Sequence, residues 1–394
     1  MKVLLVNDYS TPGGGAEGQA VAMREGLRAR GHDVRLISSD AGWVPGAPLA
    51  DATCRGSTSG RAMTALQTAN PFARRLLQRE LQVFRPDVVH VRMFLTQLSP
   101  LLLPLLREVP SVYHVAFYEA FCPKGTKVLP DGSLCDVRWG RVCRRTGCVP
   151  TLTWAAKMAQ LTAVDRWRGA FDRYLALSGT VRDRLQDNGF GPVEVVPNGI
   201  AERPPRPPLA GPPTVLFAGR LVREKGADLL LDALAELPGV RGLVVGDGPE
   251  LEPLRAQATR LGIADRVELP GRLDRAELER RADAAWVQVV PGRWEEPFGN
   301  VVTEAMARGT AVVASALGGP AETVRDGVTG AVVAPDDAVA LAAALRPLVD
   351  DRGLAERQGA AGRQLALTEY SQERVLDAVE RVHRELVDAA AVRT

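Results

Sequence analysis

Short apolar runs alternate with helical repeats through the first 200 residues, the pattern of a parallel α/β sheet buried on both faces. Lys2 to Val6 reads as a buried strand, Gly13-Gly14-Gly15 as a turn, and Ala16 to Arg30 as a helix. That helix has an apolar face at Ala20, Met23 and Leu27, and Gly31 stops it. Val34 to Ser38 is the next expected strand. Val88–Val91, Ser111–Ala116, Tyr174–Leu177 and Glu194–Val196 follow. The pattern then breaks at ERPPRPPLAGPP, Glu202 to Pro213, where proline is too dense for a helix or a sheet interior. We therefore expect an interdomain linker there. Strand-like runs resume at Thr214–Ala218, Gly242–Gly246, Arg266–Leu269, Ala284–Val290 and Ala311–Ala314, with helices between them. A last helix, Gln372 to Val387, carries an apolar stripe at Leu376, Val379, Val382 and Leu386.

Composition changes this picture little. The 394 residues suffice for two or three cores, and 46% hydrophobic with 24% charged residues is ordinary for a globular protein. A net charge of +2 gives no argument for nucleic acid. Residues 1–200 hold 25 Lys and Arg against 17 Asp and Glu, a net +8, and the remainder 24 against 30, a net −6. A basic first half suits an anionic acceptor or an anionic membrane surface, and an uneven surface without function explains it as well. The chain starts directly on a strand, with no secretory signal, and its most apolar stretch, Phe94–Leu106, is short and holds Pro100 and Pro104. The expectation is a cytoplasmic protein, with peripheral contact at the inner membrane face left open.

The most specific chemistry lies in EPFGNVVTE, Glu296 to Glu304. It joins the apolar run 284–290 to a helical pattern at Val301–Ala307. A glycine-containing turn at such a junction aims unpaired helix N–H groups at solvent, a setting that favours phosphate. Glu296 before the turn can accept hydrogen bonds from hydroxyls, and Glu304 sits inside the helix. Any single glutamate is more often a solvated surface carboxylate. Two acceptors flanking an anion pocket suit a ligand that is part phosphate and part polyol.

The whole string resembles the signature of the family 4 retaining glycosyltransferases, and the likeness continues through AMARGTAVVASALGGPAETVRDGVTGAVVAP to Pro335. The resemblance implies a GT-B fold: two facing Rossmann-like domains with a cleft between them and a C-terminal helix crossing back to the first. The domains would be 1–203, binding acceptor and carrying a cysteine-containing insertion at about 116–160; 204–370, binding the nucleotide sugar; and a terminal helix within 371–394. It implies that Glu296 contacts donor-sugar hydroxyls. The backbone of Phe298, Gly299, Asn300 and Val301 would approach sugar and phosphate, and Glu304 would hold the ribose.

Ala218-Gly219-Arg220 closes a strand and Lys225-Gly226 follows. Two cations in one loop at a strand's carboxyl end can neutralise a diphosphate leaving group without a metal. No Asp-x-Asp triplet occurs, so metal independence is expected, with no cofactor and a UDP- or GDP-sugar as donor. The loops at Gly246-Asp247-Gly248 and Gly271-Arg272 would shape the base pocket by the same resemblance, although Gly246 and Gly248 also fit plain turns. The base itself is not readable. Gly14 and Gly15 are weak as a motif, lacking a dinucleotide fingerprint's spacing. The resemblance sets their loop against donor phosphate and acceptor. It also sets His114, at the end of SVYHV, against the donor sugar. Where the family often has Asp, this chain has Val115, and Glu119 is the substitute considered.

Cys122, Cys135, Cys143 and Cys148 fall within one basic, Gly/Pro-containing stretch, without a Cys-x-x-Cys pair. Free thiols are the expectation, a closed structural zinc site the alternative, and disulfides are disfavoured in a cytoplasm. With Trp139, Arg138, Arg141, Arg144 and Arg145, this insertion is where acceptor choice would reside. The acceptor could be a glycan, a lipid-linked sugar or a small metabolite. The function expected is retaining transfer of a sugar to an acceptor hydroxyl. The alternatives are a nucleotide-sugar 2-epimerase and a non-catalytic sugar-nucleotide-binding subunit.

Overall fold

The computed structural model describes residues 1–11, 15–42 and 46–393. The chain divides into two compact units: residues 1–130, 135–199 and 372–394 form the first, and residues 131–134 and 200–371 the second.

The first unit is built on a seven-stranded sheet in the order β3-β2-β1-β4-β5-β6-β7. Its strands are β1 (Lys2–Val6), β2 (Asp33–Ser39), β3 (Ala52–Cys54), β4 (Val88–Val91), β5 (Ser111–Val115), β6 (Arg173–Ala176) and β7 (Val193–Val195). Every pairing is parallel. Central strands β4 and β5 are buried at every position, their polar residues His90, Ser111 and His114 included. Edge strand β3 was not expected from sequence. It has three residues, and only Cys54 among them is buried. The first helix, Gly15–Ala29, buries Ala20, Met23 and Leu27. The terminal helix, Gln372–Arg393, extends past the expected Val387. Its stripe of Leu376, Val379, Val382 and Leu386 joins the core containing Leu5, Leu27 and Leu36.

The second unit holds six parallel strands in the order β10-β9-β8-β11-β12-β13. These are β8 (Thr214–Ala218), β9 (Arg241–Val245), β10 (Val267–Gly271), β11 (Val287–Val290), β12 (Ala311–Ser315) and β13 (Gly330–Val333). Strand β11 is shorter than the expected 284–290, because Ala284 and Ala285 bond back to Arg281 and Ala282 and close the preceding helix. Edge strand β13 was missed, being four residues of which only Gly330 is buried.

The proline-rich stretch forms neither helix nor strand, yet it is not a loose tether. Leu209 is 2% exposed in the second unit's core, and Arg206 bonds to the carbonyls of Arg308 and Gly309. Proline excludes regular structure, but one leucine is enough to lay the segment down. The division between units falls earlier, after Gly199.

Candidate functional site

In the second unit the loops at the strands' carboxyl ends are pressed against one another by glycines. A Cβ on Gly246 (φ +154°) would lie 1.8 Å from the Gly219 carbonyl oxygen, and one on Gly226 (φ +71°) would lie 2.0 Å from that of Pro291. Only glycine permits either approach. The loop after β8 therefore packs directly on the loops after β9 and β11. Backbone bonds from Gly219 to Val245 and from Leu221 to Asp247 hold it there. Gly246 is thus more than a plain turn residue. Gly271 ends β10 at φ +81°, and Arg272 after it is exposed.

This packing brings Lys225 to Glu296, 71 positions away in the chain. Lys225 Nζ lies 2.7 Å from Glu296 Oε1, and the side chains are only 16% and 15% exposed. The ammonium also stands 5.2 Å from the centre of the Trp294 ring. The other carboxylate oxygen, Glu296 Oε2, is buried without a hydrogen-bond partner among the described residues. A buried orphan acceptor costs free energy unless a ligand donates to it. Arg220 is exposed.

Directly after Glu296 comes helix Asn300–Arg308, which includes Val301. Gly299 (φ +81°) is its N-cap and supplies no side-chain cap. Gly318 and Gly319 bring a second backbone against Glu296 and Phe298, and Gly319 N donates to Glu296 O at 2.8 Å. Phe298 is buried against Tyr370. The uncapped positive end of the helix thus sits on a fixed turn beside a carboxylate and an ammonium, an arrangement that holds an anion attached to a polyol. Glu304 faces Arg275 at 3.4 Å. That partner was missed by sequence reasoning, because the residues are 29 apart on different elements and Arg275 carries no local motif.

The first unit differs from expectation. Gly14 lies outside the described residues, while Gly15 is exposed at the start of its helix. His114, expected against the donor sugar, has no exposed surface. Its Nε2 donates to the Val196 carbonyl at 2.8 Å, leaving Nδ1 to accept from Arg92 at 3.4 Å. Burial, then the Arg92 charge, hold the ring well below the usual histidine range, so it is neutral. In this geometry His114 is a connector inside the sheet. Arg92 reaches on to Asn198 Oδ1 at 2.7 Å, and burial draws its guanidinium down to about 10.

Glu119 sits instead in the helical turn Tyr118–Ala120 after β5, partly exposed. Burial, then the charge of Asp8, push its carboxyl up to about 7, with Lys157 opposing. Asp8 follows β1 and accepts from Thr96 N and Oγ1, Gln97 N and Leu98 N at 2.6–2.9 Å. Asp8 and Lys157 went unremarked in the sequence, although an Asp two residues past a first strand is a signal that could have been used. Among the described residues no helix is long and apolar enough to cross a membrane.

The pattern described as "Glycosyl transferases group 1" matches residues 201–365, and that of "Glycosyltransferase Family 4" matches residues 13–203. Over 316 residues the chain is 33% identical to a glycogen synthase of Mycobacterium tuberculosis, covering 76% of this chain and 69% of that one. The chain is a family 4 glycosyltransferase. It is also 34% identical, over 55% of its length and 63% of the relative's, to a GDP-mannose-dependent phosphatidylinositol monomannoside mannosyltransferase of Mycolicibacterium smegmatis. The crystal structure of Anabaena HepE with UDP and glucose superposes at a TM-score of 0.70 with 19% identity, covering 98% of this chain and all of that one. The fold is GT-B, with two parallel Rossmann-like sheets and a C-terminal helix. This family 4 enzyme is a retaining glycosyltransferase that uses a nucleotide-sugar donor.

Proposed function

We propose that this enzyme transfers a hexose from UDP- or GDP-sugar to an acceptor hydroxyl without a catalytic metal. The observation that carries the reading is the Lys225–Glu296 pair beside the uncapped helix Asn300–Arg308. When a donor enters, Lys225 and the helix N-terminus take the diphosphate. Arg220, exposed on the same loop, joins them and replaces the charge a metal would supply. Glu296 turns its unpartnered oxygen to the sugar hydroxyls, and Glu304 exchanges Arg275 for the ribose. The backbones at Gly219, Gly246 and Arg272 border the base. Charge that develops on the departing diphosphate is met by groups already oriented, so the stabilisation is greater in the transition state than in the bound donor. The first unit binds the acceptor, with Gly15 and Glu119 as its candidate residues. The acceptor is a glycan, a lipid-linked sugar or a small hydroxylated metabolite.

The test is calorimetric titration with UDP, GDP and their sugars, with and without added Mg2+. One nucleotide should bind, equally in both conditions. Glu304→Ala should weaken it about tenfold, and Lys225→Ala should lower the rate of sugar release about 10²-fold or more. Binding that requires Mg2+ would sink the metal-free mechanism. Unchanged turnover in Lys225→Ala would remove the lysine from it.

A further inference from the structure

Between β5 and helix Thr151–Arg166 the first unit carries a stretch with almost no regular structure: the turn Tyr118–Ala120 and the five-residue helix Arg141–Arg145. A loop of this length needs something to hold it together. It is organised around its cysteines. Cys122 N bonds to Tyr118 O, and Cys122 O receives Gly125 N, closing the first turn. Cys135 N bonds to Lys127 O at 2.8 Å, folding the stretch back on itself. Cys143 N bonds to Gly140 O, and Cys143 O receives Val149 N. Cys148 follows Gly147 (φ +75°), with its sulfur 3.3 Å from Thr146 Oγ1.

All four cysteines line one cavity of about 20 Å3, room for a single water-sized guest. None is in a disulfide.

A second observation points the same way. Lys127 lines the cavity, is 5% exposed, and among the described residues its ammonium bonds to the Val137 carbonyl at 3.3 Å; it also borders a polar cavity with Asp136 and Asp187. Lys124, also in the lining, bonds to the Val128 carbonyl. No carboxylate pairs with either among the described residues. Lys127 further holds a left-handed backbone (φ +55°), which a non-glycine residue adopts at a cost of about 1 kcal/mol or more. An ammonium on a largely buried side chain gains from a negative counterpart nearby. Four thiolates around one divalent cation carry a net charge of −2.

We propose that Cys122, Cys135, Cys143 and Cys148 bind one Zn2+ as a closed, structural tetrathiolate site, with Lys124 and Lys127 balancing its charge. Four sulfur ligands in an oxygen-poor, one-atom cavity select zinc over magnesium, calcium or manganese. Binding breaks four S–H bonds, releases the protons to solvent and forms four Zn–S bonds, with no change of oxidation state. Among the described residues, no three His, Cys, Asp or Glu groups are gathered closely enough to hold an ion as they stand. All four cysteines line the cavity, and binding would draw their sulfurs together around the ion. The site staples the insertion and fixes the direction of Arg138, Arg141, Arg144 and Arg145. It is a structural site and plays no part in the metal-free chemistry proposed above.

The full chain, passed over chelating resin, should retain one zinc per molecule by plasma emission spectrometry. A mercurial reagent should release it. Reconstitution with Co2+ should give sulfur-to-metal charge-transfer absorption and the strong visible bands of a tetrahedral ion, a readout that needs no variant to fold. Cys148→Ser, at the partly exposed end of the set, should weaken retention at least tenfold, whereas Cys54→Ser should leave one zinc bound. A folded wild-type chain without zinc, whose four thiols all react with a disulfide reagent, would overturn the proposal. So would a disulfide among them by mass spectrometry, or stoichiometric iron in place of zinc.

Discussion

The two units share an architecture and divide their chemistry. Both are parallel sheets in which most consecutive strands are linked by helices. In the second, the proposed donor site rides on loops whose spacing is set by backbone contact, with glycines at Gly226 and Gly246 where no side chain fits. Its key charges, Lys225, Glu296 and Glu304, are partly open to solvent. In the first, the titratable groups are drawn inside. All four histidines of the chain lie there, and His90, His114 and His383 are fully buried. His90 Nδ1 meets His383 Nε2 at 2.9 Å, tying the terminal helix to β4. One unit presents fixed charges on a rigid rim, and the other stores uncharged polar groups in its core. Rigidity suits a donor whose diphosphate must be met by groups already in place. Buried titratable groups make the other unit sensitive to pH.

That contrast can be broken most severely at Gly246. Valine there would set its Cβ against the Gly219 carbonyl at an unfavourable φ. The expected loss is about 3–5 kcal/mol of second-unit stability, together with donor binding. Denaturant unfolding with hydrogen exchange would show whether the damage stays in residues 200–371.

Acid should act on the other side. Burial, then the His32 charge, lower His383 to about 3, and burial with neighbouring positive groups lowers His90 and His114 as well. The unfolded chain binds protons near pH 6.5 that the folded first unit refuses. Stability is therefore intact above pH 6.5 and falls as pH drops below it, by about 2 kcal/mol per buried histidine at pH 5. Hydrogen exchange at pH 7 and pH 5 should show first-unit amides losing protection before those of the second unit. Equal loss in both would remove the contrast.

Glu119 sharpens the same comparison with a smaller effect of opposite sign. Its folded pKa of about 7 lies above the ordinary 4.5, so the folded state holds a proton that the unfolded chain has lost. This contribution declines as pH rises from about 4.5 to 7, and the full cost is present above that. Glu119→Gln should therefore gain about 1–2 kcal/mol at pH 8, discounted for partial exposure, and nothing at pH 4. A melting-temperature series across pH checks it. A uniform change at all pH values would show that the carboxyl's ionisation is not the cause.

Much of the frame was legible because it is local. Lys2–Val6, Val88–Val91 and Thr214–Ala218 were each read with their observed bounds, since buried parallel strands leave short, mainly apolar runs. Edge strands β3 and β13 were not, because half-exposed strands of three or four residues leave almost no pattern. The turn and helix start within Glu296–Glu304 were legible, because turn, cap and helix start are neighbours in sequence.

By itself, then, the sequence determined the two α/β units, the family, and the residue types at the donor loops, all properties carried by short-range periodicity and contiguous motifs. Tertiary structure alone decided which of those residues meet. It paired Lys225 with Glu296 and Glu304 with Arg275, and it seated Leu209 in a core that its prolines seemed to exclude. It withdrew His114 from the surface and brought four widely spaced cysteines to one cavity. The physical reason is common to all of these. Burial and electrostatic partnership depend on what the rest of the chain places around a side chain, and neither can be read from that side chain's neighbours in sequence.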